Sequence, residues 1–230
     1  MKKIFITGGN GALGKKLVNY VSPNYEVLSP TSDECNILDL NKLTNTIKNF
    51  NPDIVIHLAA FVDTFGCEKD VEKAIDINII GTINIVKACL NINCKFIYLS
   101  SEYVFSGEKG NYTIDDKPDP INVYGKTKSS AEYIVSILPQ YQIIRAPFIR
   151  TTYPKVFINQ YCSRYFLDEV VEKIVYNILN NPKNLIHISS ERMSLYELYL
   201  KKGLKVEPIL IPQNQETIIP KDTSLINNSI

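Results

Sequence analysis

The stretch Thr7–Gly14, TGGNGALG, directly follows the apolar run Lys3–Thr7 and opens a segment with helical spacing. Its glycines Gly8, Gly11 and Gly14 have the spacing GxxGxxG. In a strand-to-helix turn the first glycine makes the tight turn, the second lets a pyrophosphate approach the backbone, and the third allows close helix–strand packing. The helix N-terminus supplies free N–H groups and the positive end of the helix dipole. The stretch therefore predicts a dinucleotide-binding site.

Short β-branched or aromatic runs alternate with longer segments of helical spacing over the first 150 residues. The runs predict strands buried on both faces of a sheet; they are Lys3–Thr7, Tyr25–Ser29, Asp53–Leu58, Lys95–Ser100 and Gln142–Arg145. The predicted helices are Leu13–Val21, Leu43–Phe50, Val71–Leu90 and Val123–Leu138. Strands that alternate with helices form right-handed βαβ units. We therefore predict an α/β fold, a Rossmann-type doubly wound parallel sheet.

The alternating pattern weakens after residue 150. Asp168–Leu179 predicts an amphipathic helix, Asn184–Ser189 a strand, and Ser194–Lys201 a short helix that starts with a capping box. We predict a Rossmann domain over residues 1–150 and a small, shortened second part over residues 151–230.

The composition argues against several classes of protein, including nucleic-acid-binding and membrane-spanning proteins. The chain has 230 residues with Lys+Arg 25 against Asp+Glu 24, a net charge of +1, so no basic excess points to nucleic-acid binding. No run approaches the ~18 apolar residues of a membrane span, and the apolar start is too short for a signal peptide. Five cysteines without a CxxC pair, beside two histidines, predict reduced thiols, no metal site and a cytoplasmic protein.

A second motif carries candidate chemistry. Tyr124 and Lys128 are four residues apart and share a helix face. A phenol has a pKa near ~10, and a nearby ammonium lowers it. Ser101 follows the strand Lys95–Ser100, at the carboxyl end where open α/β sheets bind ligands. Tyr124 and Lys128 alone are a common pair, but with Ser101 they predict a hydroxyl that holds a carbonyl oxygen while the phenol delivers a proton.

Together these motifs resemble the extended short-chain dehydrogenase/reductase family, and within it the nucleotide-sugar reductases of the dTDP-4-dehydrorhamnose reductase type. The matching stretches are Asn51–Ala60 (NPDIVIHLAA), Ser100–Gly107 (SSEYVFSG) and Pro120–Lys126 (PINVYGK). The resemblance covers residues 1 to about 150 and thins to fragments afterwards.

The resemblance implies an NAD(P)H-dependent reductase of a nucleotide-linked 4-keto-6-deoxy sugar that acts as a homodimer. Ser101 would polarise the carbonyl, Tyr124 would be the general acid, and Lys128 would lower its pKa and hold the nicotinamide ribose. The implied cofactor-binding residues are Gly8, Asn10, Gly11, Ala12, Leu13, Gly14, Asn36, Ile37, Leu58, Ala59, Ala60, Ser100, Tyr124, Lys128 and Pro147. Arg145 would follow its strand beside the nicotinamide.

The end of the second strand bears on cofactor choice. An acidic residue there normally binds the adenosine 2′-hydroxyl and repels a 2′-phosphate, and none is present in Leu28–Ser32. Ser29, Thr31 and Ser32 could donate to a 2′-phosphate. We therefore favour NADP(H), with NAD(H) as the alternative.

Two departures from the family leave alternatives open. Glu102 stands where the reductases carry Asp, and the segment from Arg150 to Asp168 is shorter than the one that builds their sugar pocket. Arg150, Lys155 and Arg164 remain as cations for a diphosphate, or as ordinary surface charges. The alternatives to a reductase are a nucleotide-sugar 4-epimerase and a non-catalytic, cofactor-binding regulatory subunit of the same fold.

Overall fold

The computed structural model describes residues 1–215 and 218–230; Glu216 and Thr217, within the predicted second part, lie outside the described residues. The strands are β1 Lys3–Thr7, β2 Glu26–Leu28, β3 Ile54–His57, β4 Lys95–Ser100, β5 Tyr141–Arg145, β6 Phe148–Ile149, β7 Lys155–Phe157, β8 Tyr161–Cys162, β9 Tyr165–Phe166, β10 Leu185–His187, β11 Met193–Ser194 and β12 Glu207–Ile209. The α-helices are α1 Ala12–Val21, α2 Leu40–Phe50, α3 Thr64–Lys69, α4 Val71–Ile75, α5 Gly81–Cys89, α6 Val123–Val135, α7 Leu167–Asn180 and α8 Leu195–Lys201.

Six strands form one parallel sheet in the order β10-β5-β4-β3-β1-β2. The predicted Rossmann-type parallel sheet is confirmed. Because β1 lies between β2 and β3, the chain changes direction across the sheet at β1. Open α/β sheets bind ligands beside the carboxyl ends of the strands at such a switch point.

The strands are buried on both faces because successive side chains point to opposite sides. Ile4 and Ile6 of β1 pack in the cluster beneath α1 and α7, whereas Phe5 packs in the cluster beneath α2, α5 and α6. Val55 of β3 faces the same side as Phe5. The continuous apolar runs in the sequence thus serve two cores, one on each face of the sheet.

The predicted helix over Val71–Leu90 is interrupted in the structure. Helix α4 passes through a π-helical turn, Asp76–Ile80, into α5. Within that turn the Asn78 side chain accepts from the Phe61 backbone N–H at 2.7 Å and donates to the Phe61 carbonyl at 3.0 Å. Single π-helical turns inside helices are frequent at functional sites.

After residue 150 the chain forms short strand pairs, β6 with β9, β7 with β12 and β8 with β11. It then returns to the central sheet, because α7 packs against α1 and β10 pairs with β5. The capping box of α8 is confirmed, since the Ser194 hydroxyl accepts from the Glu197 N–H and the Glu197 carboxylate accepts from the Ser194 N–H. The boundary at residue 150 stays a prediction.

Candidate active site

The turn after β1 has the geometry that its glycines predict. Gly8 adopts a φ of +73°, and a Cβ there would lie 2.6 Å from the backbone nitrogen of Ala59. A Cβ on Gly14 would collide with the Gly8 carbonyl oxygen. These two glycines are therefore required by the backbone itself. A Cβ on Gly11 would meet only the Gly8 carbonyl oxygen, at 3.2 Å, so the space above Gly11 is open.

A cleft of about 510 Å³, here called the glycine cleft, runs along this turn. Among the predicted cofactor residues, the ones that line it are Gly8, Asn10, Gly11, Ala12, Leu13, Gly14, Asn36, Ile37, Leu58, Ala59 and Ala60. Gly11, the N-cap of α1, has no side chain to accept hydrogen bonds from the first N–H groups of α1. The cleft and the helix end have the form of a pyrophosphate site.

The far end of the glycine cleft lies beside β2. The Ser29 hydroxyl donates to the Ile6 carbonyl and is held against β1, so Ser29 is not one of the cleft residues and its predicted contact with a 2′-phosphate is wrong. Thr31 and Ser32 do line the cleft. The Asn36 side-chain oxygen accepts from the Leu38 N–H at 2.9 Å, which leaves it one further lone pair.

A second cleft of about 710 Å³, the tyrosine cleft, contains Ser101, Tyr124 and Lys128. It shares one wall with the glycine cleft, formed by Leu58, Ala60, Val62, Leu99, Phe148 and Arg150. Ser100 also lines the tyrosine cleft, where its hydroxyl is buried without a hydrogen-bond partner among the described residues. A ligand in one cleft therefore meets a ligand in the other beside the predicted catalytic hydroxyls.

Tyr124 and Ser101 both line the tyrosine cleft, and the Ser101 hydroxyl is close enough to lower the pKa of the Tyr124 phenol. Burial raises the pKa of Tyr124, the charge of Glu102 raises it further, and Ser101 and Arg150 pull it down. The net shift is upward, opposite to the expected effect of Lys128. The phenol is therefore protonated at neutral pH and able to donate a proton.

Lys128 is buried on α6, four residues after Tyr124. Its ammonium donates to the Leu99 carbonyl at 2.7 Å and lies 4.1 Å from the ring centroid of Tyr98. Burial lowers the pKa of Lys128 to about 7, while the charge of Glu132 opposes that shift. Lys128 therefore titrates near neutral pH, in the range where a change of charge affects ligand binding.

Glu102 is the acidic neighbour of the two hydroxyls. Its carboxylate accepts from the Ser101 hydroxyl at 2.8 Å and from Arg164 Nε at 2.9 Å. The Glu102 and Arg164 side chains are only 7% and 16% exposed. Arg164 is thus paired with a carboxylate, and through Glu102 it connects the segment after residue 150 to the Ser101 hydroxyl.

Of the other cations proposed for a diphosphate, Lys155 pairs with Glu207 at the surface. Arg150 is exposed, lines both clefts, and makes no ion pair among the described residues. Arg150 therefore lacks the carboxylate partner that Lys155 and Arg164 have among the described residues, although Lys155 also lines the tyrosine cleft.

The structure places two predicted residues away from the clefts. Arg145 is buried and forms a bidentate ion pair with Glu132, so the expectation that it lies beside a nicotinamide is wrong. Pro147 does not line either cleft, whereas its neighbours Ala146 and Phe148 do.

Sequence reasoning missed the residue that joins the two halves of the site. Asn78 Nδ2 donates to the Thr127 hydroxyl at 2.9 Å, and that hydroxyl donates to the Tyr124 carbonyl at 2.8 Å. Asn78 therefore ties the loop after β3 to the helix that carries Tyr124 and Lys128. Residue spacing does not predict this role, because Asn78 lies in the π-helical turn between α4 and α5 and its partners are distant in the chain.

The parallel sheet, the glycine turn and the Ser101–Tyr124–Lys128 group define an extended short-chain dehydrogenase/reductase fold. The family model "RmlD substrate binding domain" matches residues 1–192, and the chain belongs to this family.

Curated relatives agree with this assignment. The spore coat polysaccharide biosynthesis protein SpsK of Bacillus subtilis is 29% identical over 86% of this chain and 77% of its own length. A dTDP-4-dehydrorhamnose reductase of Mycolicibacterium smegmatis is 30% identical over 64% of this chain, but the match spans only 46% of that enzyme. Subunit beta of methionine adenosyltransferase 2 from Bos taurus is 31% identical over 58% of this chain and 42% of its own length.

Solved structures show the same fold. A dTDP-4-dehydrorhamnose reductase from Bacillus anthracis, solved in complex with NADP, matches with a TM-score of 0.87 over 99% of this chain and 92% of that chain, at 24% identity. A hypothetical dTDP-4-dehydrorhamnose reductase from Sulfolobus tokodaii matches with a TM-score of 0.86 over 98% and 92%, at 29% identity.

Two further properties concern only residues 1–215 and 218–230. No helix there is long and apolar enough to cross a membrane. No group of three or more His, Cys, Asp or Glu residues there could hold a metal ion.

Proposed function

We propose that the protein is an NAD(P)H-dependent reductase of a nucleotide-linked 4-keto-6-deoxy sugar. The observation that carries the proposal is that Ser101, Tyr124 and Lys128 line one cleft, which shares a wall with the glycine cleft. The family membership and the names of the relatives support the same substrate class.

The glycine cleft fits a nicotinamide dinucleotide. Its open space above Gly11 and the N-terminus of α1 suit the pyrophosphate. Asn36 and Ile37 would bind the adenine end, and Lys128 would hold the nicotinamide ribose. Thr31 and Ser32 favour NADP(H), because the cleft lining includes no acidic residue to repel a 2′-phosphate.

When bound, the cofactor supplies a hydride to the carbonyl carbon of the substrate. The Ser101 hydroxyl, which donates to Glu102 in the free protein, would turn to donate to the carbonyl oxygen, and Tyr124 would donate the proton that this oxygen takes up. The raised pKa of Tyr124 keeps the phenol in its donor form before the reaction. Arg150, free and exposed at the wall between the clefts, is the cation available to the substrate's diphosphate or to the cofactor.

The test is oxidation of NADPH and NADH against a panel of 4-keto nucleotide sugars. Tyr124→Phe should lower turnover by ~10²–10⁴-fold and leave cofactor affinity within a few-fold, because it removes one hydroxyl and little packing. Ser101→Ala should behave alike, whereas Lys128→Met should weaken both turnover and cofactor binding. Near-full turnover in Tyr124→Phe would show that the mechanism is wrong.

Two alternatives remain. A 4-epimerase would use the same Ser101, Tyr124 and Lys128, and it would convert 4-hydroxy nucleotide sugars without net use of cofactor. The second alternative is a non-catalytic subunit; one relative, subunit beta of methionine adenosyltransferase 2, is named as a subunit of a larger assembly. Such a subunit would bind the cofactor and never oxidise it. The keto-sugar panel identifies a reductase, and product analysis with 4-hydroxy nucleotide sugars separates an epimerase from a non-catalytic subunit.

We also propose a cytoplasmic homodimer. Exposed apolar side chains support self-association: Val71 and Ile75 on α4, and Tyr133 and Ile137 in and just after α6. Sedimentation of the purified chain measures the assembly, and a monomer at micromolar concentration would contradict it.

A further inference from the structure

The catalytic-site lysine rests on an aromatic face. Phe96, Tyr98 and Ser100 alternate along β4 and share the side of the sheet on which α6 packs. The buried ring of Tyr98 lies directly beneath Lys128, with the ammonium 4.1 Å from its centroid. A cation over an aromatic face is attracted to the ring, most strongly where water is excluded.

The donors of the ammonium can be assigned from this geometry. An ammonium has three N–H donors. The Leu99 carbonyl takes one at 2.7 Å, and the face of Tyr98 lies within cation–π distance. At least one donor is left for a ligand in the tyrosine cleft, which Lys128 lines.

We propose that Tyr98 is a positioning residue for Lys128: its ring face and the Leu99 carbonyl together hold the ammonium in place and keep it charged where the cofactor ribose would bind. The role assigned to Lys128 rests on the proposed function. The contact between Lys128 and Tyr98 belongs to the free protein and can be tested there.

Other charged and titratable groups also face Lys128. Glu132, one helical turn further along α6, favours the charged ammonium, but both of its oxygens are paired with Arg145 of β5. His57 of β3 stacks against Tyr98 at 5.8 Å, and burial lowers its pKa to about 3, so it is neutral near pH 7. Tyr124 is neutral there as well, because its pKa is raised. Burial disfavours the ammonium, and the ring of Tyr98 opposes that effect at short range.

The experiment is an NMR titration of the full chain labelled with ¹³C,¹⁵N-lysine, in which the signal lost in Lys128→Met identifies Lys128. Tyr98→Phe keeps the ring face and should keep the titration midpoint of the parent. Tyr98→Leu removes the face and should lower the midpoint by about one pH unit, the size expected for a desolvated cation–π contact. Tyr98→Met, which fills more of the space than leucine but also lacks a ring, replaces Tyr98→Leu if that variant does not fold. It should lower the Lys128 titration midpoint as well.

Phe96→Leu is the matched control, because it removes a buried ring two residues earlier on the same face of β4. It should leave the Lys128 midpoint unchanged. Equal midpoints in the parent and in Tyr98→Leu or Tyr98→Met would overturn the proposal, as would an equal shift in Phe96→Leu. Absence of turnover in the parent would instead count against the proposed function and leave this titration unaffected.

Cofactor affinity provides a second readout. Tyr98→Leu should weaken NADPH binding several-fold above pH 7, where the parent still holds part of its Lys128 charged, and Tyr98→Phe should not. An affinity that falls equally in Tyr98→Leu and Phe96→Leu would indicate loss of packing rather than loss of the ring face, and would contradict the proposal.

Discussion

Residues 1–150 and residues 151–230 are held together in different ways. The first region supplies five of the six strands of the parallel sheet, with helices on both faces. The second forms two-stranded pairs and attaches through α7, β10 and individual side chains. One of these attachments, the Arg164–Glu102 ion pair, reaches the Ser101 hydroxyl, which donates to Glu102.

The residues of the two regions are held in place by different kinds of contact. In the first region many backbone hydrogen bonds and apolar contacts place each residue, so local sequence pattern is a good guide. In the second region the placement depends on contacts between segments far apart in the chain, such as α7 against α1 and β10 beside β5. The following variants test whether the catalytic site depends on both regions in this way.

The largest effect is expected at the glycine turn of the first region. Gly11→Val puts a branched side chain where the pyrophosphate would lie and should block hydrogen bonds to charged phosphates. Cofactor affinity should fall at least ~100-fold, or about 3 kcal/mol, as measured by calorimetry. Thermal unfolding should be nearly unchanged, because only the Gly8 carbonyl oxygen lies close to the new Cβ; unchanged affinity would refute the site.

Loss of a buried ion pair should have the next largest effect. Arg164→Gln leaves Glu102 buried without its cation and should lower the free energy of unfolding by about 3 kcal/mol. Arg145→Gln is the matched variant in the first region, where Glu132 is equally buried. Denaturant unfolding should show a similar loss in both. Arg164→Gln should also impair turnover, because Glu102 is bonded to Ser101.

Acid stability depends on one buried histidine from each region. Burial lowers the pKa of His57 to about 3 and that of His187 to about 4. Between these pKa values and the ordinary histidine pKa of ~6.5, the unfolded chain binds more protons than the folded chain. The contribution of the two histidines to the free energy of unfolding is therefore fully present above about pH 6.5 and is lost as the pH falls. His187→Gln should remove about 3 kcal/mol of this pH dependence between pH 6.5 and 4. Equal slopes in parent and variant, measured by urea unfolding, would contradict it.

The smallest effect is expected at the surface of the second region. Lys155 and Glu207 form an ion pair, and both side chains are more than half exposed. Lys155→Gln should change the free energy of unfolding by less than about 1 kcal/mol, and less still at high salt. Cofactor affinity should equal that of the parent. A large loss of turnover would instead show that Lys155 contacts the substrate.

Sequence alone determined the parts of this protein that depend on local pattern. The strand β1, the glycine turn and the start of α1 follow from the run of apolar residues and the spacing of Gly8, Gly11 and Gly14. Ser101, Tyr124 and Lys128 were identified from a strand end and a helix face, and the structure brings all three to one cleft. Neighbours along the chain set each of these features.

Only the tertiary structure decided the contacts between residues far apart in the chain. Arg145 was expected beside the nicotinamide and instead pairs with Glu132 across the packed face of β5 and α6. Arg164 meets Glu102 across 62 positions, and Lys128 meets Tyr98 where α6 packs on β4. The spacing of residues in a sequence predicts one helix or one strand at a time. These partners depend instead on which elements pack together, because a charge that is buried there is stable only beside a group that compensates it.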